Sequence, residues 1–255
     1  MRVLALLAFA PIAVPQMVSG QTDEIQVYDG RLAAKGRFNL TLHNNFIPEG
    51  LRTPAFAGAL LADRSLNGVP EWAYGVSSWF EAGLYLPLYS IGKTTAHRSV
   101  MLNGVKLRLL FAVPRADDRT FFYAVNFEFS YNARHWDPKR FTSEIRPIIG
   151  WHLSPVDIIV NPIFDTSYDG LKNLDFAPAT RVACDLSDTW VLAVEEYDDF
   201  GPLHQFYAGN QQAHQLYGVA DHTTKGLDIE AGIGFGLTSA SDRITLKLIL
   251  SRDLN

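Results

Sequence analysis

The sequence predicts an all-β fold, a transmembrane antiparallel β-barrel of about twelve strands behind a cleaved N-terminal signal peptide. Three observations predict it. Segments of about ten residues alternate apolar and polar side chains, the period-two pattern of a strand with two different faces. The connections between them alternate between short and long, as in barrels with tight periplasmic turns and longer external loops. Four of the five tryptophans stand beside the short turns, where indole rings favour the headgroup level of a membrane.

Composition agrees with this and excludes other classes. Hydrophobic residues make up 47% of the chain and charged residues 19%. Mean hydropathy is +0.01, because alternating faces cancel in any average. Beyond the first twenty positions no apolar run approaches the ~20 residues of a spanning helix. A net charge of −5 without a basic stretch argues against nucleic-acid binding. The single cysteine, Cys184, rules out an intramolecular disulfide and a cysteine-based zinc cluster, and no cofactor or metal is expected.

Taken in order, Arg2, the apolar run from Val3 to Val14 and the small exit residues Val18, Ser19 and Gly20 predict a signal peptide over 1–20. Residues 21–35 follow as a periplasmic N-terminal segment, and 36–255 form the barrel. Strands are expected at 36–47, 67–76, 79–89, 101–113, 120–131, 141–152, 157–165, 175–186, 189–198, 212–221, 227–237 and 243–251. The clearest is 120–131, where Phe121, Tyr123, Val125, Phe127, Phe129 and Tyr131 share one face while Ala124, Asn126, Glu128 and Ser130 share the other. Tight turns are expected at Ser77-Ser78, Arg115 to Arg119, Ser154 to Val156, Ser187-Asp188 and His222 to Lys225. The long connections are Pro48 to Asn67, Ser90 to Ser99, Asn132 to Arg140, Thr166 to Leu174 and Asp199 to Gln211, with a short one at Thr238 to Asp242. Pro87, Pro147, Pro162 and Pro178 fall inside these strands and cannot donate to a ladder, so they are expected at bulges or rims.

The stretches Glu24–Asp29 (EIQVYD), Val69–Gly75 (VPEWAYG), Trp79–Pro87 (WFEAGLYLP), Pro178–Leu186 and Trp190–Tyr197 resemble an outer-membrane β-barrel family, itself similar to the MetA-pathway (phenol-degradation) transporter-like proteins. The similarity spans most of the chain beyond the signal segment. It implies a porin or transporter passing small solutes, aromatic or apolar in class, and brings no catalytic motif. One departure is the C-terminal Arg252-Asp253-Leu254-Asn255, where outer-membrane barrels commonly end on an aromatic residue.

Strand parity assigns the lumen-lining residues: Glu81, Lys106, Arg108, Glu128, Glu144, Arg146, Asp165, Arg181, Glu195, Asp228, Glu230 and Lys247. Neighbouring strands mostly present opposite charges, which suits either a cross-strand ion-pair network or a narrow selective pore. Gly83, Gly232, Gly234, Gly236 and Ala179 face the same way and either leave room or relieve crowding. Trp72, Trp79, Trp151 and Trp190 form a periplasmic aromatic girdle, and Phe46, Tyr89, Tyr131, Phe141 and Phe164 an outer one. His97 and Ser99 have the two-residue spacing of outer-membrane lipid hydrolases, but no acid or amide nearby completes a site, so no enzyme is expected. The expected partners are outer-membrane lipid and lipopolysaccharide, the barrel-assembly machinery and a small-molecule solute.

Overall fold

The computed structural model describes residues 24–94 and 97–254; the expected signal peptide lies outside the described residues. Twelve strands follow one another: β1 Phe38–Glu49, β2 Leu61–Gly75, β3 Phe80–Lys93, β4 Arg98–Ala112, β5 Phe121–Asn132 and β6 Phe141–His152. Next come β7, in two pieces, Val156–Asn161 and Phe164–Thr166, and β8, also in two, Asp175–Phe176 and Ala179–Ser187. β9 comprises Trp190–Asp199 and Gly201–Pro202, and the chain finishes with β10 Ala213–Thr224, β11 Leu227–Gly236 and β12 Ile244–Asp253. Each strand pairs antiparallel with its sequence neighbours, and β1 pairs with β12 from Asn39↔Asp253 to Glu49↔Ile244, closing the sheet on itself. Closure leaves no unpaired edge, a requirement for strands in lipid.

Alternation dictates which face each side chain takes. Along β5, Phe122, Ala124, Asn126 and Glu128 are buried while Phe121, Tyr123 and Phe129 are exposed. Lys247 of β12 meets Glu195 of β9, and Arg108 of β4 meets Glu71 of β2. Side chains of strands that are not neighbours can meet only across the interior, which fixes the inward face. The outward face is apolar in β2 (Trp72), β4 (Leu107), β6 (Ile145) and β9 (Leu192, Val194). Among the described residues no helix is long and apolar enough to cross a membrane.

Several expectations change. The long connection at Ser90–Ser99 contracts, because β3 and β4 stay paired out to Lys93↔Arg98. The segment 21–35, expected outside the wall, does not stay there: from Glu24 to Ala33 it runs inside the barrel. Glu24, Ile25, Val27 and Tyr28 are buried, and their partners are inward-facing side chains of β3, β5, β6, β7 and β12. The physical reason is composition: Ile25, Val27 and Tyr28 bury apolar surface there that a free tail would leave in water.

Candidate functional site

The site is the barrel interior together with the strap, residues 24–35, that enters it from the short-turn end. The chain turns in at Gly36, which takes a φ of 78° open to glycine, and Gly36 N–H donates to the Gly75 carbonyl at 2.7 Å. Gly75 is needed for close approach: a Cβ there would stand 2.3 Å from the Ala33 carbonyl. Ala33 N–H then donates to Glu81.

Deeper in, Tyr28 is clamped twice by Asn161 of β7. Its N–H donates to Asn161 Oδ1 at 2.7 Å, and Asn161 Nδ2 donates back to its carbonyl at 3.0 Å. The Tyr28 hydroxyl lies 2.5 Å from that of Tyr85 and bonds Glu24 at 3.0 Å. Arg146 sits over the Tyr28 ring at 4.4 Å and donates to the Gln26 carbonyl at 3.1 Å. Lys247 reaches the Ile25 carbonyl at 3.4 Å.

Ten of the twelve residues assigned to the lumen from the sequence enter ion pairs. Glu81 and Glu71 share Arg108, and His43 bonds Glu71 at 3.3 Å. Lys106 pairs with Glu128 at 2.8 Å. Arg146 chelates Glu144 at 2.6 and 3.0 Å and faces Glu24 at 3.5 Å. On the other side Arg181 binds Glu195 and Asp221 and approaches Glu230 at 3.6 Å, while Lys247 joins Glu195 and Glu230. Two are not brought into a pair: Asp165 lies opposite Glu144 and Asp175 in register, and Asp228 is exposed near the short-turn end. Neither forms an ion pair among the described residues.

The inward glycines are filled, not vacant. A Cβ on Gly232 would meet the Lys247 stem at 3.1 Å, one on Gly83 the Arg108 side chain at 3.0 Å, and one on Gly234 the Tyr217 ring at 2.3 Å. Small residues on one strand thus seat the long side chains of the next.

The interior is also stratified. Near the long-loop end, Asn67, Ser90 and Asn103 form a buried uncharged chain of bonds at 2.7 Å each. Loops lace over this end, with Leu60 N–H donating to the His135 carbonyl at 3.0 Å and Leu51 N–H to Asp242 at 2.8 Å. The charges occupy the middle. Below and beside them lie two apolar clusters, one around Val27, Phe122, Ile148, Ile159 and Ile163, the other around Ile25, Ala183, Ala193 and Val219.

Sequence reasoning missed Glu24, Tyr28, Glu71, Tyr85, Asn161 and Asp221. Glu71 and Tyr85 follow from parity once β2 and β3 are in register; the strap residues do not, because nothing on the strand pattern marks them. The four tryptophans, Trp72, Trp79, Trp151 and Trp190, are exposed on the outer wall near the short turns, Trp151 beside Phe121 at 5.6 Å and Trp190 stacked on His222 at 4.2 Å. The fifth, Trp136, is buried in a long loop. His97 is exposed immediately before the start of β4.

No family model matches the chain, and no curated protein matches it. Solved structures do. The chain is similar to the COG4313 outer membrane channel from Pseudomonas putida F1, with a TM-score of 0.60 and 11% identity over 91% of this chain and 100% of that one. It is similar to the NanC porin, with a TM-score of 0.55 and 8% identity over 85% and 100% of the two chains. The translocator domain of autotransporter NalP from Neisseria meningitidis superposes with a TM-score of 0.50 and 11% identity over 86% and 89%. At these identities the likeness is one of fold, the closed outer-membrane barrel.

Proposed function

We propose that this chain is an outer-membrane channel of a Gram-negative bacterium that its own N-terminal strap holds narrow, and that it passes small solutes of aromatic or apolar class. The short-turn end then faces the periplasm, the long loops face outward, and the exposed tryptophans sit at the periplasmic headgroups, with lipid and lipopolysaccharide around the wall and the assembly machinery as the folding partner. The observation that carries this reading is the way the strap is held. It is bound by side-chain hydrogen bonds, ion pairs and apolar contacts, with a lone parallel bridge at Lys35↔Gly75, not by a strand ladder. A segment held so can leave without opening the wall. Each lumen cation is held by carboxylates, most by two or more, so acidic groups outnumber basic ones and the interior offers no ring of positive charge to select anions. The solute class rests on the family resemblance and on the apolar clusters beside the strap.

Single-channel recording in a planar bilayer tests the reading. Native protein should give small steps, removal of residues 24–35 should enlarge them several-fold, and Glu128→Gln or Arg181→Gln should alter ion selectivity. Silence from both native and shortened protein, with insertion verified, would leave a closed barrel whose outer loops do the work.

A further inference from the structure

The wall has a weak seam where two prolines meet in an otherwise regular register. Ile149↔Val160 and Ile145↔Phe164 pair β6 with β7 in one continuous register, since both pairs sum to the same residue total; Pro147 therefore stands directly opposite Pro162. The hydrogen-bond directions are fixed by neighbours. His152 N–H bonds the Thr120 carbonyl, so even residues of β6 address β5 and odd ones address β7. Leu153 N–H bonds the Val156 carbonyl, so even residues of β7 address β6. Pro147 and Pro162 thus occupy a position where both residues should exchange N–H···O=C bonds, and neither has an N–H. From residue 149 to residue 145 the ladder is missing over four rises, about 13 Å of strand.

These prolines are neither at a rim nor in a bulge, contrary to the sequence expectation. Pro70 and Pro87, in β2 and β3, show the contrast. There the register shifts between Gly68 and Glu71, and the Trp72 indole N–H bridges the two strands by donating to the Leu86 carbonyl at 3.3 Å. No such side chain spans Pro147 and Pro162 among the described residues.

The outer face of the gap is apolar, and the inner face sets two isoleucines between polar groups that are already paired. Outward stand Ile145, Ile149, Val160 and Phe164, the last beginning an aromatic series with Phe176 at 5.3 Å. Inward stand Ile148 and Ile163, both buried in the cluster that contains Val27 of the strap. Two polar side chains flank the gap on the inner side and both are engaged: Asn161 clamps the strap, and Arg146, opposite Ile163, is held by Glu144, Glu24 and the Gln26 carbonyl.

We propose that the β6–β7 seam at Pro147 and Pro162 is a lateral portal, through which small uncharged apolar solutes pass between the barrel interior and the hydrocarbon of the membrane. This rests on the channel reading above and gives that channel its route. A polar solute gains nothing by leaving sideways into hydrocarbon, whereas an apolar one moves from Ile148 and Ile163 to lipid without crossing water. The strap closes the inner side of the portal through Tyr28 and Asn161, so its release would open both routes together.

The test restores the ladder. Gram-negative cells producing the full-length protein are given N-phenyl-1-naphthylamine, an apolar amine that the lipopolysaccharide leaflet excludes and that fluoresces on entering lipid; purified protein is recorded in planar bilayers in parallel. Pro147→Val with Pro162→Val supplies both missing N–H donors, and probe uptake should fall by about tenfold with ion conductance unchanged. Uptake equal to that of native protein would overturn the portal and leave the channel standing. Ion conductance from native protein with no uptake above cells lacking it would do the same. Neither conductance nor uptake from native protein would remove both readings. If the double variant is not heat-modifiable on a gel, Pro162→Val alone restores one donor, and a partial fall in uptake is then the expected result, with none overturning the proposal.

Discussion

The seams on opposite sides of the barrel are built differently. β1 and β12 come from the two ends of the barrel and meet last in sequence, yet they share a ladder from Asn39↔Asp253 to Phe46↔Leu246. Side chains stitch the same seam: Thr41 and Ser251 hydroxyls bond at 2.9 Å, and Asn39 Nδ2 donates to Asp253 at 3.0 Å. Behind it lies Lys247, fully buried between Glu195 and Glu230. β6 and β7 are joined by a tight turn, so their pairing is local, and their ladder is interrupted at mid-strand with Ile148, Ile163 and the paired Arg146 behind it. The contrast teaches that closure by distant strands is reinforced, while a pair tethered by a turn tolerates an interrupted ladder.

Three substitutions probe this contrast beyond the strap and proline variants. The largest effect is expected from Lys247→Met, which removes the cation between two buried carboxylates; unfolding in urea, followed by tryptophan fluorescence in detergent, should show a loss of about 3–5 kcal/mol. A loss under ~1 kcal/mol would mean that Arg181 alone compensates Glu195 and Glu230, and the reinforcement would be apolar after all. Ile148→Ala comes next, at roughly 2–4 kcal/mol by the same titration, because a buried methyl-rich side chain leaves a cavity against Phe122 and Ile159. The smallest is Thr41→Val, which breaks one side-chain bond across the closing seam; about 1 kcal/mol is expected, and no change would show the ladder suffices without stitching.

Much of this architecture was legible in the residues. The strand expected at 120–131 is found at Phe121–Asn132, and that expected at 141–152 at Phe141–His152, because strict period-two alternation is imposed by one wet and one apolar face at every step. Ten of the twelve residues assigned to the lumen by the same parity enter ion pairs, while Asp165 and Asp228 show that parity does not supply a partner. β2 and β3 extend further than expected, since their pairing resumes at Leu61↔Lys93 beyond the irregularity at Arg64, and β3 stays paired with β4 through Gly92.

By itself the sequence determined strand number, facing and the alternation of charge, all of which follow from the spacing of residues along one strand. The tertiary structure decided what depends on residues far apart in the chain. Glu24–Ala33 finds its partners only once the barrel has closed around a volume that it can enter, and Pro147 finds Pro162 only through the register of a pairing that neither strand encodes alone. A strand's own pattern says which way its side chains point; which groups they meet is set by closure and register.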